Sequence, residues 1–264
     1  MLGKIRKIFM FKKFLASLII MVLAFASFTP QVVNADTYTR SGYACMSGNN
    51  IYFAFSSTKK STPIYKFNVK TNKRKKVYPK KSSKLKEFKN LNVLGKYIYC
   101  ACRKKNDLNC RHIYRINTKN GKIKHLAKGV NPTLVGDRIV FDGTKSVKVR
   151  DNFTTMYMPS GEQFMIDKDG KSKQQPVKQE FRDNETACRG LKIATGQATF
   201  HIAKNGKKLY RTEGERKQAI FKAKKITSFR ALDGYIVVKT SKGKKNYAYC
   251  VAEDGSSKKK MLTW

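Results

Sequence analysis

Residues 91–121 read LNVLGKYIYCACRKKNDLNCRHIYRINTKNG, and their grammar decides the fold. A short apolar run closes on Gly95. A β-rich run opens at Ile98-Tyr99-Cys100, a polar loop leads to Ile113-Tyr114-Arg115, and Asn120-Gly121 ends the stretch. β-Branched and aromatic residues suit a pleated, half-buried surface. Asn-Gly tolerates the positive φ that a tight hairpin turn requires. The stretch therefore predicts three antiparallel strands and, beyond the turn, a fourth rich in Lys.

Four more copies of this grammar flank it. Apolar runs end at Gly48, Gly136, Gly196 and Gly234. Second runs follow at Ile51-Tyr52-Phe53, Ile139-Val140-Phe141, Ala198-Thr199-Phe200 and Ile236-Val237-Val238. Third runs lie at Ile64-Tyr65-Lys66, Phe164-Met165-Ile166, Leu209-Tyr210-Arg211 and Tyr247-Ala248-Tyr249. The turns at 72, 121, 170, 214 and 255 are spaced 49, 49, 44 and 41 residues. Four short strands recurring at that period are the signature of propeller blades. The predicted fold is an all-β propeller of about five four-stranded blades, with a β-sandwich as the alternative. Lys84–Lys89 reads as a brief helical turn between units. The third unit is irregular: 143–161 is an insertion containing Met156-Tyr157-Met158, placed where repeat proteins often carry a binding surface.

Units of the form Gly95-x-x-Ile98-Tyr99, then Ile113-Tyr114-Arg115-Ile116-Asn117 and Asn120-Gly121, resemble a bacterial secreted β-propeller family of unknown function. That family is related to the blades of low-density-lipoprotein-receptor propellers. The resemblance covers nearly all of 36–264 and is best from Gly48 to Gly136. It implies a propeller in an extracellular setting, often ligand-binding, with no catalytic residues. The chain departs from it in having about five units where six are usual, and in its Lys content.

The N-terminus has the three-part pattern of an export signal: basic Lys4 to Lys13, an uncharged apolar run from Phe14 to Phe28, and Val33-Asn34-Ala35 before a cleavage site. Residues 1–35 are read as a signal peptide and 36–264 as one propeller domain. The mature part keeps 52 basic residues against 17 acidic ones, a net +35. Self-repulsion at that charge disfavours compaction, and a polyanionic partner relieves it. No obvious strand closes the ring by swapping between the ends, although Asp36–Arg40 could pair with the last blade.

Cys45, Cys100, Cys102, Cys110, Cys188 and Cys250 all fall in the exported part. An even number in an oxidising compartment reads as disulfides. Cys102–Cys110 across one hairpin and Cys45–Cys250 between the ends are the pairings considered. Cys100, Cys102, Cys110 and His112 have the ligand types of a zinc site, but their spacing is tighter than usual knuckles, so no metal is assigned. Asp167-x-Asp169-Gly170 is a fragment of a calcium loop and is read as a turn.

No catalytic constellation emerges, and no small-molecule cofactor is evident. Glu180, Asp183 and Glu185 form the densest acidic cluster and are the only candidates for a carboxylate-dependent hydrolase. The basic clusters recur at equivalent places. Lys73, Arg74, Lys75, Lys76, Lys122, Lys124, Lys258, Lys259 and Lys260 sit on fourth strands. Arg103, Lys104, Lys105, Lys207, Lys208, Lys244 and Lys245 sit around the loops between second and third strands. Lys outnumbers Arg 44 to 13, which favours diffuse attraction over planar readout. These residues are the candidate site for an anionic polymer or cell surface. Met156, Tyr157 and Met158 are the candidates for a protein partner.

Overall fold

Period-two alternation of buried and exposed residues builds most of the molecule. The structure is a computed structural model describing residues 42–55, 63–79, 85–104, 107–148, 155–177, 192–195 and 197–264. For 107–110, 148, 155–157 and 192–195 only the backbone is described. Residues 1–35, read above as an export signal, Asp36–Arg40, Lys105, Cys188 and the cluster Glu180, Asp183 and Glu185 lie outside these residues.

The first sheet contains β1 (Ala44–Ser47), β2 (Asn50–Phe53), β3 (Ile64–Asn68) and β4 (Arg74–Tyr78). The second contains β5 (Leu85–Leu94), β6 (Tyr97–Lys104), β7 (Asp107–Asn117) and β8 (Ile123–Lys128). The third has β9 (Val130–Val135), β10 (Arg138–Lys148), β11 (Thr155–Asp167) and β12 (Gln175–Pro176). The fourth has β13 (Lys192–Thr195), β14 (Ala198–Ile202), β15 (Lys208–Glu213) and β16 (Arg216–Lys222). The fifth has β17 (Ile226–Leu232), β18 (Tyr235–Lys242), β19 (Lys245–Ala252) and β20 (Lys258–Thr263). Every sheet is a meander in which spatial order follows sequence order, and every pairing is antiparallel. The fold is a five-bladed β-propeller.

Apolar faces hold neighbouring blades together. Cys45, Tyr52, Val77, Ile98, Cys100 and Tyr114 belong to the core between the first and second blades. Tyr99, Ile113, Ile139 and Phe141 join the second to the third. Phe200, Leu209, Ile236 and Val251 join the fourth to the fifth. Phe53, Phe55, Val237, Met261 and Leu262 bring the last blade against the first. There Phe55 stacks on Trp264 at 4.4 Å, and the Tyr43 hydroxyl donates to the Val237 carbonyl at 3.0 Å. Each such buried side chain contributes about 1.5–3 kcal/mol. Among the described residues no core cluster joins the third and fourth blades.

Two sequence expectations are corrected. Lys84–Lys89 is not a helical turn: from Leu85 onward it belongs to β5. Leu85, Phe88 and Leu91 are all buried at a spacing of three, which imitates helical periodicity. Irregularities between Lys86 and Lys89 and between Lys89 and Asn92 reset the alternation. Glu87 (φ 54) and Asn90 (φ 51) take the left-handed conformations this needs.

The disulfide expectation also fails where it can be read. Cys45, Cys100, Cys102 and Cys250 are free, buried thiols. On β1, Ala44 faces the fifth blade and Cys45 faces the second, so Cys45 turns away from Cys250, which packs on the Ala44 side. On β6, register places His112, not Cys110, opposite Cys102. The side chains of Cys110 and Cys188 lie outside the description.

Where it is described, at 143–148 and 155–161, the insertion is strand. It lengthens the β10–β11 hairpin, with Thr144 opposite Pro159, Lys145 opposite Met158 and Val147 opposite Met156.

Candidate functional site

In a four-stranded meander the first and third turns share one end of the sheet, and the second loop lies at the other. This divides the sixteen basic candidates into two groups. Lys73, Arg74, Lys75, Lys76, Lys122, Lys124, Lys258, Lys259 and Lys260 gather at the end of the third turns. Arg103, Lys104, Lys207, Lys208, Lys244 and Lys245 lie at the opposite end, and Lys105 is outside the described residues.

The third-turn group shares a design. In β4, β16 and β20 the first three residues are exposed and the later ones turn into the core. β8 likewise begins with three exposed residues. Cations occupy the exposed heads: Arg74-Lys75-Lys76, Lys124 after Ile123, Arg216-Lys217 and Lys258-Lys259-Lys260. Arg216 and Lys217 were missed by sequence reasoning because Glu213 and Glu215 interrupt the run. Their place after Gly214 was the available signal. Aromatic rings on the third strands support these cations from below: Arg74 lies over Tyr65 at 5.2 Å, Lys217 over Tyr210 at 4.6 Å and Lys258 over Tyr249 at 5.9 Å.

Register sets cation against cation. Lys66 pairs with Lys75, Arg115 with Lys124, Arg103 with Arg111, and Lys208 with Lys222. Like charges directly opposite are destabilising. Two of these pairs have a carboxylate beside them. Glu87 reaches Arg103 at 3.5 Å and Arg111 at 2.8 Å. Asp169, on the third turn of the next blade, pairs with Arg115, and its carbonyl accepts from the Lys124 Nζ at 2.5 Å. The Arg115 hydrogen bond holds the Asp169 carboxyl below its ordinary range. The Asp167–Gly170 segment is thus a turn, closed by Gly170 N–H donating to the Asp167 carbonyl at 2.8 Å, and also an inter-blade bridge. Arg103 and Lys124 are therefore partly committed to structure. Among the described residues no carboxylate lies within ion-pairing distance of Lys66, Lys73, Arg74, Lys75 or Lys76. All but Lys76 line an open cleft of about 440 Å³, together with Asn50, Asn68 and Thr71.

The second blade holds the sequence's histidine candidates. His112, 2% exposed, places its Nδ1 3.1 Å from the His125 Nε2. Burial lowers the His125 pKa, and His112 and Lys104 add to the effect. Burial pushes the Cys45 thiol to about 12 and raises Cys102 as well, which disfavours the thiolates that metals bind. Among the described residues no three His, Cys, Asp or Glu side chains are arranged to hold a metal.

The protein-partner candidates lie on the lengthened hairpin. Met158 is half exposed. β12 pairs only with Phe164 and Met165 of β11, so among the described residues the outer edge of β11 from Thr155 to Gly161 has no strand beside it.

No family model matches the chain, and no curated protein matches it. Among solved structures it is similar to an acylaminoacyl peptidase in complex with a chloromethyl ketone, at 15% identity over 86% of this chain and 40% of that one, TM-score 0.36. The β-propeller domain of the Trilobed protease from Pyrococcus furiosus aligns at 12% identity over 84% of each chain, TM-score 0.37. A chain of a nidogen/laminin complex aligns at 11% identity over 82% of this chain and 75% of that one, TM-score 0.32. The chain spans well under half of the peptidase.

Proposed function

We propose that this is a secreted, non-enzymatic propeller that binds an anionic extracellular polymer along the exposed heads of its outer strands. The observation that carries this reading is the placement of Lys73–Lys76 and Lys258–Lys260 on adjacent blades, exposed and with no described carboxylate partner. Arg74 links the two runs by donating to the Met261 carbonyl at 2.7 Å. Nothing in the packing requires such a concentration of like charge, and an anionic ligand relieves it. Teichoic acid, anionic lipid, DNA and sulfated glycan all carry the matching chemistry. The export-signal pattern and the resemblance to secreted ligand-binding propellers support the same setting.

The test is binding of the purified chain to teichoic acid, heparin, DNA and anionic vesicles across a salt series. A merely cationic surface loses all four together as salt rises, because binding is driven by counterion release. Retention of one polymer at physiological salt supports the proposal and names the ligand. Loss of all four alike counts against it and favours a second reading, in which a protein partner docks on the 143–161 hairpin. The unpaired edge of β11 and the exposed Met158 are the observations that favour that reading. Deleting 145–159 distinguishes the two, since it removes the hairpin and leaves every basic outer-strand head in place.

A further inference from the structure

The first and second blades repeat one inter-blade joint with a single chemical difference. In the second blade, Tyr99 of β6 pairs with Arg115 of β7, which pairs with Lys124 of β8. In the first blade, Tyr52 of β2 pairs with Lys66 of β3, which pairs with Lys75 of β4. Each tyrosine addresses the third turn of the following blade. The Tyr99 hydroxyl donates to the Lys168 carbonyl at 3.2 Å, and Thr118 hydrogen-bonds the Tyr52 side chain. The turns themselves correspond. The residue preceding left-handed Gly170 (φ 58) is Asp169, and the residue preceding left-handed Gly121 (φ 74) is Asn120.

The Asp169 carboxylate pairs with Arg115, and its backbone carbonyl accepts from Lys124, so one negative charge sits beside the cation pair. Asn120 carries no charge, so Lys66 and Lys75 face one another without the counter-ion that the next joint supplies. The open cleft is lined by first-blade residues that include Lys66 and Lys75, and Lys73 and Arg74 add two more cations to its lining. Neutral donors and acceptors complete it. The Asn68 amide donates to the Asn50 side-chain oxygen at 3.2 Å, and the Thr71 hydroxyl donates to the Asn68 oxygen at 3.1 Å.

We infer that the Lys66–Lys75 cleft is an oxyanion subsite in which one phosphate or sulfate group takes the place that Asp169 fills in the next joint. This rests on the proposed polyanion binding and gives it a location. Ammonium groups act as compact point charges, and the three of Lys66, Lys73 and Lys75, with neutral hydrogen-bonding neighbours, suit a tetrahedral oxyanion. Free phosphate and a phosphate or sulfate carried on a polymer share that chemistry.

The test uses the full chain and reads melting temperature and titration calorimetry with inorganic phosphate, polyphosphate and heparin at low salt. Asn120→Asp installs the missing carboxylate and keeps the acceptor for the Lys122 backbone N–H, now met by the Asn120 Oδ1 at 2.9 Å. Expected results are a rise in melting temperature without ligand, loss of the phosphate-induced rise, and about tenfold weaker polyphosphate binding. Lys66→Gln with Lys75→Gln loses the same phosphate response. Stronger binding of heparin than of polyphosphate, weakened in both variants, assigns the site to sulfate. A phosphate response unchanged in both variants overturns the subsite. If polymer binding then persists, the broader proposal stands on the other outer strands. If no polymer binds the unaltered chain, both fall.

Discussion

The joint between the second and third blades and the joint between the first and second share a backbone plan and differ in electrostatics. One closes a cross-strand cation pair with Asp169; the other sets Asn120 at the matching turn position and leaves Lys66 and Lys75 to solvent. The fold tolerates both because apolar burial, not the ion pair, holds each joint. Tyr99, Ile139 and Phe141 secure one, and Ile98, Tyr52 and Leu91 secure the other. An exposed ion pair is worth roughly 0–1 kcal/mol, well below one buried aliphatic side chain. Charge at these joints is therefore free to serve binding.

The comparison can be broken most forcefully at the core. Ile98 is fully buried between Val93 and Ile116 of its own sheet. Ile98→Ala is expected to cost about 2–5 kcal/mol, seen as the largest fall in melting temperature among these variants. A loss no greater than that of a surface charge change would mean that apolar packing does not secure the joint.

Asp169→Asn copies the first joint into the second. The Asp169 pKa lies below its ordinary 3.8 when folded, chiefly through Arg115. Its stabilising effect is therefore complete above that ordinary value and fades as pH falls through the folded one. The variant is expected to show a weaker stability loss in acid than the unaltered chain, and to gain a phosphate-induced rise in melting temperature. Identical acid denaturation curves would show that Asp169 contributes nothing to the joint.

The smallest effect concerns the fourth-strand residue opposite the third-strand tyrosine. It is Lys76 in the first blade and His125 in the second. His125 has a folded pKa below the ordinary 6.5, from burial first and then from His112, Lys104 and Lys128, partly offset by a hydrogen bond to the Ala127 backbone. Tyr114, the other titratable ring against it, lies 5.2 Å away. The unfolded chain therefore takes up protons first as pH drops below 6.5, and stability falls until the folded value is passed. His125→Gln should flatten the profile between pH 7 and 5, by roughly a degree or two in melting temperature.

Much of this architecture was legible because local chemistry encodes it. Asn120-Gly121, Asp169-Gly170 and Asp254-Gly255 mark turns wherever they occur, and the alternation in Ile51-Tyr52-Phe53 or Ile98-Tyr99-Cys100 marks strands. The misreadings came where local pattern was ambiguous. Leu85, Phe88 and Leu91 imitate a helix until bulges are allowed. Cys102 and Cys110 appear to face each other until register places His112 in between. The insertion around Met156 is visible in the sequence, but its strands are not, because they form only by pairing with each other.

The sequence alone determined most of the strand content, the five repeats and the cations after the third turns of the first, second and fifth repeats, since each follows from neighbours within a few residues. Only the tertiary structure decided which cations meet a carboxylate. Arg115 and Asp169 are 54 residues apart in the chain, and an ion pair forms only when blade packing brings such groups within a few ångströms. The same packing left Lys66 and Lys75 without a described partner, which no local pattern reveals.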